Sequence, residues 1–253
     1  MQPTRYPIGS WAPLPGDSSG MDLAERVAEW ADLRFTLTFT SDITDDPATH
    51  ARAHELLDLC AAHDIQAIVC DHRTAVPHAD FADPGRALRI PDDYRARAAE
   101  AVAEFANHPA TWAFLLVDEP LEGNFPAVAE ASRILRDLTD QAEPFVNYMP
   151  NHEMGHDGTS SSIQHQVGFE DFGEYLDHVV TESRASMLCY DAYSSMSPEW
   201  GGPDNWYRNL ADYQAAAIRN DICFWTIILT SGHWMYRAPS PLEMGWQFYN
   251  ALA

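Results

Sequence analysis

His108-Pro-Ala-Thr-Trp-Ala-Phe-Leu-Leu-Val-Asp-Glu-Pro120 is the stretch whose reading decides the fold. Trp112 to Val117 is an unbroken apolar run. A strand with one wet face would alternate polar and apolar residues. A continuous run predicts a strand covered on both faces, as in a parallel sheet flanked by helices. Asp118 and Glu119 follow at once, which puts two carboxylates at the C-terminal end of that strand, and Pro120 ends it.

The same pattern repeats on either side. Further strands are predicted at Tyr6–Trp11, Phe35–Phe39, Ile65–Cys70, Pro144–Tyr148, Ser186–Tyr190 and Cys223–Leu229. Helices are predicted between them. The first covers about 21–33. The second is opened by Asp46 as N-cap and Pro47 at the first helical position, with Leu56, Leu57, Leu59 and Cys60 facing inward. A long loop over 71–90 precedes a helix begun at Pro91, with Tyr94, Ala98, Val102 and Phe105 on one face. Later helices align Val128, Ala131, Leu135 and Leu138, then Phe172, Leu176 and Val179, then Leu210, Tyr213, Ala217 and Ile218. The last opens with Ser240-Pro241-Leu242-Glu243, a capping box.

Consecutive strand–helix units imply parallel strands joined by right-handed crossovers. The expected fold class is α/β, a (β/α)8 TIM-type barrel. An open doubly wound sheet usually carries a phosphate loop, and neither G-x-G-x-x-G nor G-x-x-x-x-G-K-[ST] occurs. Polar residues just past the strand ends also suit a barrel, whose active sites lie there. Seven strand–helix units are evident where a barrel has eight. The expectation is therefore one β/α-barrel domain over residues 1–253, C-terminally incomplete, with the eighth unit missing.

The charge narrows the function. Acidic residues number 38 against 15 basic ones, for a net charge of −23, and every basic residue is Arg. Such a chain repels phosphates, so neither nucleic acid nor an anionic membrane is an expected partner. Cys60, Cys70, Cys189 and Cys223 are scattered and read as free thiols in a reducing compartment. Met1 to Pro15 lacks a charged start followed by an apolar run, so the expected location is cytoplasmic, or secreted if the N-terminus is processed. The sequence fixes no oligomeric state.

The residues after each strand carry the chemistry. They are Trp11, then Ser41 and Asp42, then Asp71, His72 and Arg73, then Asp118 and Glu119. Asn147 and Tyr148 follow, then Asp191 and Tyr193, and finally Ser231, His233 and Trp234. Carboxylates suit acid–base work and aromatic faces suit stacking on sugar rings, so a carbohydrate is the expected ligand, with no cofactor. His152-Glu-Met-Gly-His156 matches H-E-x-x-H in letters, but Pro150 and Gly155 make it a loop rather than a helix, and no metal site is assigned.

The segment from His108 to Pro120 resembles the fourth-strand segment of β/α-barrel glycoside hydrolases of the clan A type and their D-E-P relatives. Cys189-Tyr-Asp-Ala-Tyr193 is similar to a D-x-Y element of those proteins. Phe224 to Leu229 and Tyr236 to Glu243 are similar to their seventh strand and the helix start after it. The resemblance covers nearly the whole chain in outline. It implies that Glu119 is the general acid/base. It also implies a nucleophilic Glu at the end of strand seven, where this chain has Leu229-Thr-Ser-Gly-His233 and no carboxylate. Asp191 is then the candidate second carboxylate. Trp11, Asp71, His72, Asp118, Asn147, Tyr148, Tyr193, His233 and Trp234 are candidates for substrate contact. The alternatives are a carbohydrate-binding pseudoenzyme without its strand-seven nucleophile and a metal-dependent barrel hydrolase using His152 and His156.

Overall fold

The computed structural model describes residues 7–11, 22–151, 163–196, 202–232 and 236–252. Strands β1 (Leu37–Phe39), β2 (Gln66–Val69), β3 (Thr111–Asp118), β4 (Glu143–Asn147), β5 (Met187–Asp191) and β6 (Cys223–Ile227) alternate with helices. These are α1 (Leu23–Asp32), α2 (Pro47–Ala62), α3 (Tyr94–Phe105), α4 (Phe125–Leu138), α5 (Ile163–Val167), α6 (Phe172–Ser183), α7 (Gly202–Asn220) and α8 (Pro241–Leu252). The chain forms two compact units. The first contains Met1–Val76, Ile90–Leu116 and Ala131–Phe145; the second contains Pro77–Arg89, Val117–Glu130 and Val146–Ala253.

In the first unit the strands run in the order β1-β2-β3-β4. β1 pairs with β2 in parallel, and β2 with β3 in parallel with a register shift at Ala67/Ile68. Ala67, Ile68, Val69, Ala113 and Phe114 are wholly buried, as the continuous apolar runs require. The expected first strand is reduced to a short parallel contact. Thr36 N donates to Ile8 O at 2.8 Å and Ser10 N to Leu37 O at 3.3 Å. Gly9 permits this approach, because a Cβ there would lie 2.4 Å from the Leu37 carbonyl oxygen. Trp11 packs on Phe39, with ring centroids 4.4 Å apart, and lies 6.3 Å from Phe145.

The helix signals act locally. Asp46 Oδ1 accepts from Ala48 N at 2.9 Å, with Pro47 opening α2, and Leu56, Leu57 and Cys60 face inward. α3 starts at Tyr94 rather than Pro91. Pro91 first makes a turn, accepting from Tyr94 N at 2.9 Å. The Tyr94 hydroxyl donates to Thr74 O at 2.7 Å and ties α3 to the loop after β2.

In the second unit β5 and β6 pair in parallel from Met187↔Cys223 to Asp191↔Ile227. Tyr148 N donates to Cys189 O at 2.7 Å, so the residue after β4 pairs alongside β5. Tyr213 of α7 stacks on Tyr190 at 3.9 Å, and its hydroxyl donates to Met149 O at 2.8 Å. Ile218, expected on the inward stripe of α7, is 74% exposed. That stripe passes through Trp206, Asn209, Tyr213 and Ala217, and Ile218 lies one step round from it. The α8 capping box is present: Glu243 N donates to Ser240 Oγ at 3.3 Å and Ser240 N to Glu243 Oε2 at 2.8 Å. Arg237 also bonds Glu243 and holds its carboxyl down at about 2.

A charged cluster ties together the loops of the first unit. Arg73 bonds Asp71 through Nε and Nη2, and Nη2 reaches Glu104 Oε2 at 2.7 Å. His50 Nδ1 lies 2.8 Å from Glu104 Oε1, and His50 Nε2 lies 2.9 Å from Thr44 O. The Glu104 hydrogen bond raises the His50 pKa. Burial works to raise Glu104, but bonds from His50 and Arg73 outweigh it and lower the carboxyl.

The His50 contribution to stability is complete below the ordinary imidazole value of about 6.5 and is lost as pH rises through its higher folded value. The Glu104 contribution is present above about 4.3 and is lost as pH falls through its lowered folded value. Replacing His50 by Gln is expected to cost a few tenths to about 1 kcal/mol at pH 5.5. At pH 8.5 the deficit shrinks. Urea unfolding of both proteins at the two pH values measures it; an equal deficit at both values would rule out the ion pair as the cause.

Candidate active site

Three strand ends in the second unit bring three carboxyls together. Asp118 is the last residue of β3, and Asp191 the last of β5. Between them Asn147 ends β4. Its Nδ2 donates to Asp118 Oδ1 at 2.9 Å and to Asp191 Oδ1 at 2.7 Å. Two hydrogen bonds to one nitrogen hold the two carboxylates close. Glu119 leaves the strand with φ of 46°, in the left-handed region, while its N donates to Asn147 O at 2.8 Å.

Solvent reaches this group. Asp118 is exposed, and Glu119 and Asp191 are partly exposed. Surrounding protein nevertheless displaces enough water to raise all three pKa values. For Asp118 burial raises the carboxyl, opposed by the Asn147 bond and the nearby His78. Asp191 is pushed up to about 6, first by burial and then by the charge of Asp118, while bonds from Asn147 and Tyr193 favour its ionised form. Glu119 is raised well above the usual range by burial, then by Asp191 and Asp118. No hydrogen bond offsets that rise among the described residues.

Tyrosines line the group. Tyr193 hydrogen-bonds Asp191, and its ring meets Tyr236 edge-on at 5.4 Å. Tyr236 packs with Met196 and Leu229, and burial followed by the charges of Asp191 and Glu119 pushes its hydroxyl up to about 12. Tyr236 escaped the sequence reading, although it lies shortly after the last strand, where barrel sites gather residues. The end of the β6 segment carries no carboxylate. Leu229 N instead donates to Gln247 Oε1 at 3.1 Å, and Gln247 Nε2 to Leu229 O at 3.1 Å.

Other candidates fall elsewhere. Tyr148, a candidate for substrate contact, has its side chain on the helix side. Its hydroxyl meets Ser183 Oγ at 3.2 Å, and its ring borders a small cavity with Pro120, Phe125 and His178. Side chains alternate along a strand, so once Asn147 faces the carboxyls its neighbour must face the helices. Asp71 belongs to the first unit and is buried with its carboxylate bonded by Arg73. His72, also there, contacts Ile43 O at 3.0 Å and Asp45 at 3.1 Å. Trp11 belongs to the first unit's aromatic cluster. His233, Trp234, His152 and His156 lie outside the described residues.

A carboxyl whose pKa is raised by folding destabilises the fold increasingly as pH rises from its unfolded value to its folded value, fully above the latter and not below the former. Asp191→Asn is therefore expected to stabilise the protein by roughly 1–3 kcal/mol above pH 7. The gain should vanish below about pH 4. Thermal melts across that range test it, and a gain that persists at low pH would contradict the assigned cause.

No family model matches the chain, and no curated protein matches it in sequence. Solved structures do. A β-galactosidase from the psychrophilic Marinomonas ef1 aligns over 98% of this chain and 52% of its own, with TM-score 0.66 and 11% identity. A candidate α-L-fucosidase of Bacteroides thetaiotaomicron aligns over 95% and 80%, with TM-score 0.65 and 8% identity. A β-D-glucuronidase of Dictyoglomus thermophilum aligns over 98% and 40%, with TM-score 0.58 and 13% identity. The chain thus spans about half or less of the galactosidase and the glucuronidase. The strand–helix order, the parallel pairings and these alignments together give the chain the α/β, TIM-type barrel fold of the solved structures it aligns with.

Proposed function

We propose that the chain is a glycoside hydrolase acting on a carbohydrate, with Glu119 as proton donor and Asp191 as the second carboxylate. The observation that carries this reading is the unequal environment of the two carboxyls. Asp191 receives hydrogen bonds that favour its charged form, whereas Glu119 is raised by burial and by two neighbouring carboxylates. Carboxyls pushed apart in this way divide into an acid and an anion near neutrality. Glu119 would protonate the leaving glycosidic oxygen. Asp191 would attack the anomeric carbon, or take a proton from the water that does. Asn147 would bridge Asp118 and Asp191 and fix their positions, and Tyr193 and Tyr236 would offer ring faces to the sugar. The names of the three aligned structures support a sugar as substrate class.

The second reading is a sugar-binding barrel without turnover. It is favoured by the Gln247 clamp on Leu229, because the segment where retaining relatives of the resembled family carry a nucleophile is here occupied by backbone pairing.

Activity on a panel of aryl glycosides separates the two. Under the first reading Glu119→Gln lowers kcat by about 10²–10⁴-fold, most on substrates with poor leaving groups. In the same panel kcat/KM rises as pH passes about 6, where Asp191 ionises, and falls at higher pH as Glu119 ionises. Saturable sugar binding without release of reducing ends, unchanged in Glu119→Gln, would favour the second.

A further inference from the structure

We propose that His78 is a positioning residue for the acid: its imidazole caps the backbone carbonyls of Asp118 and Glu119 and so holds the left-handed turn on which the Glu119 carboxyl is carried. The inference rests on the reading of Glu119 as proton donor.

The turn needs support. A non-glycine residue in the left-handed region is strained, typically by about 1–3 kcal/mol, and persists only where its surroundings fix it. Glu119 is such a residue. In an extended strand successive carbonyls point to opposite sides, so one group cannot bond both. His78 does. Its Nε2 lies 3.1 Å from Asp118 O and 3.0 Å from Glu119 O. That convergence requires the backbone to turn at Glu119, and the imidazole therefore favours the strained form over an extended one.

The ring is itself held. Its Nδ1 lies 2.8 Å from Ala79 O, and its face stacks on Phe81 at 5.5 Å. Asn124 ties down both neighbours of His78: Ala79 N donates to its Oδ1 at 3.1 Å, and its Nδ2 donates to Pro77 O at 2.6 Å. The same Oδ1 accepts from Leu121 N at 3.0 Å, two residues past the turn. On the other side Glu119 N is fixed to Asn147 O. The turn is thus gripped at its nitrogen by β4 and at its carbonyls by His78. Carbonyl oxygens only accept, so the ring nitrogen that faces the turn must carry a hydrogen. His78 also opposes the rise in the Asp118 carboxyl. His78 is exposed, so its replacement leaves no hole in the core.

The test uses His78→Ala and His78→Gln in the whole protein. His78→Ala is expected to lower kcat by about 10–100-fold with KM little changed, since small misplacement of a reacting group is costly. The loss should grow with poorer leaving groups, as for Glu119→Gln, and His78→Gln should recover much of it through its amide hydrogens. A crystal structure of His78→Ala should find Glu119 relaxed to negative φ. The proposal is overturned if Glu119 keeps its left-handed backbone in that variant. It is equally overturned if His78→Ala turns over within twofold of the wild type while Glu119→Gln is impaired. If Glu119→Gln is unimpaired on every leaving group, the hydrolase reading fails instead, and the backbone of the His78→Ala structure still decides whether His78 holds the turn.

Discussion

The Asn147 amide faces two carboxylates with one nitrogen, and the layout of the second unit's site depends on that contact. Carboxylates only accept, so the nitrogen must face them and the amide oxygen must face away. That oxygen is buried without a partner among the described residues, a cost of about 1–3 kcal/mol. The cost is tolerated because the alternative is worse: two carboxylates close together with no donor between them. For one side chain to reach both, the ends of β3, β4 and β5 must come level. The bonds from Glu119 N to Asn147 O and from Tyr148 N to Cys189 O fix that level. The outward turn of Tyr148 follows from the same constraint.

Environment rather than residue type sorts the acids of this chain. Asp71 follows a strand just as Asp191 ends one, yet Arg73 and the loop backbone use up its oxygens. Glu243 stands in the sequence near the place of the resembled family's nucleophile, yet Arg237 and Ser240 hold it as a cap. Both are acids with cationic partners, and both serve the structure. Asp118, Glu119 and Asp191 meet one another and an uncharged amide, with the imidazole of His78 near Asp118. Burial without an arginine partner raises a carboxyl, and a raised carboxyl is what proton transfer near neutrality needs. Such a site lowers the stability of the fold that holds it.

Much of the fold was legible because the signals are local. Apolar runs mark β2 and β3, the Asp46-Pro47 pair starts α2, and the Ser240–Glu243 box starts α8. The juxtaposition of Asp118 and Glu119 with Asn147 and Asp191 follows from strand ends alone once the strands are parallel. The direction of Tyr148 was also available, since adjacent strand residues cannot face the same side. The His78 contact was not. It joins residues about 40 positions apart through a loop that has no periodicity, and its partners are backbone carbonyls, which no residue pattern announces. Ile218 misled for a different reason. Its helix turns Asn205 and Asn209 inward to bond Asn151, and this polar stripe displaces the apolar one that composition suggests.

Gln247 bears most directly on the second carboxylate. It is fully buried, and its amide both donates to and accepts from the backbone of Leu229. A side-chain amide that satisfies both groups of one residue does what a neighbouring strand would do. It fixes the chain just beyond β6 from α8, 18 residues further on. A carboxylate put at that position would face an arrangement already committed to backbone pairing. Thr230, Ser231 and Gly232, which follow, supply none. The proposed pair must therefore draw its second member from another strand end. Of the two aspartates bonded to Asn147, Asp118 ends the strand that leads directly into Glu119. Asp191 comes from a different strand and bonds Tyr193, which is why the proposal takes it as the second carboxylate.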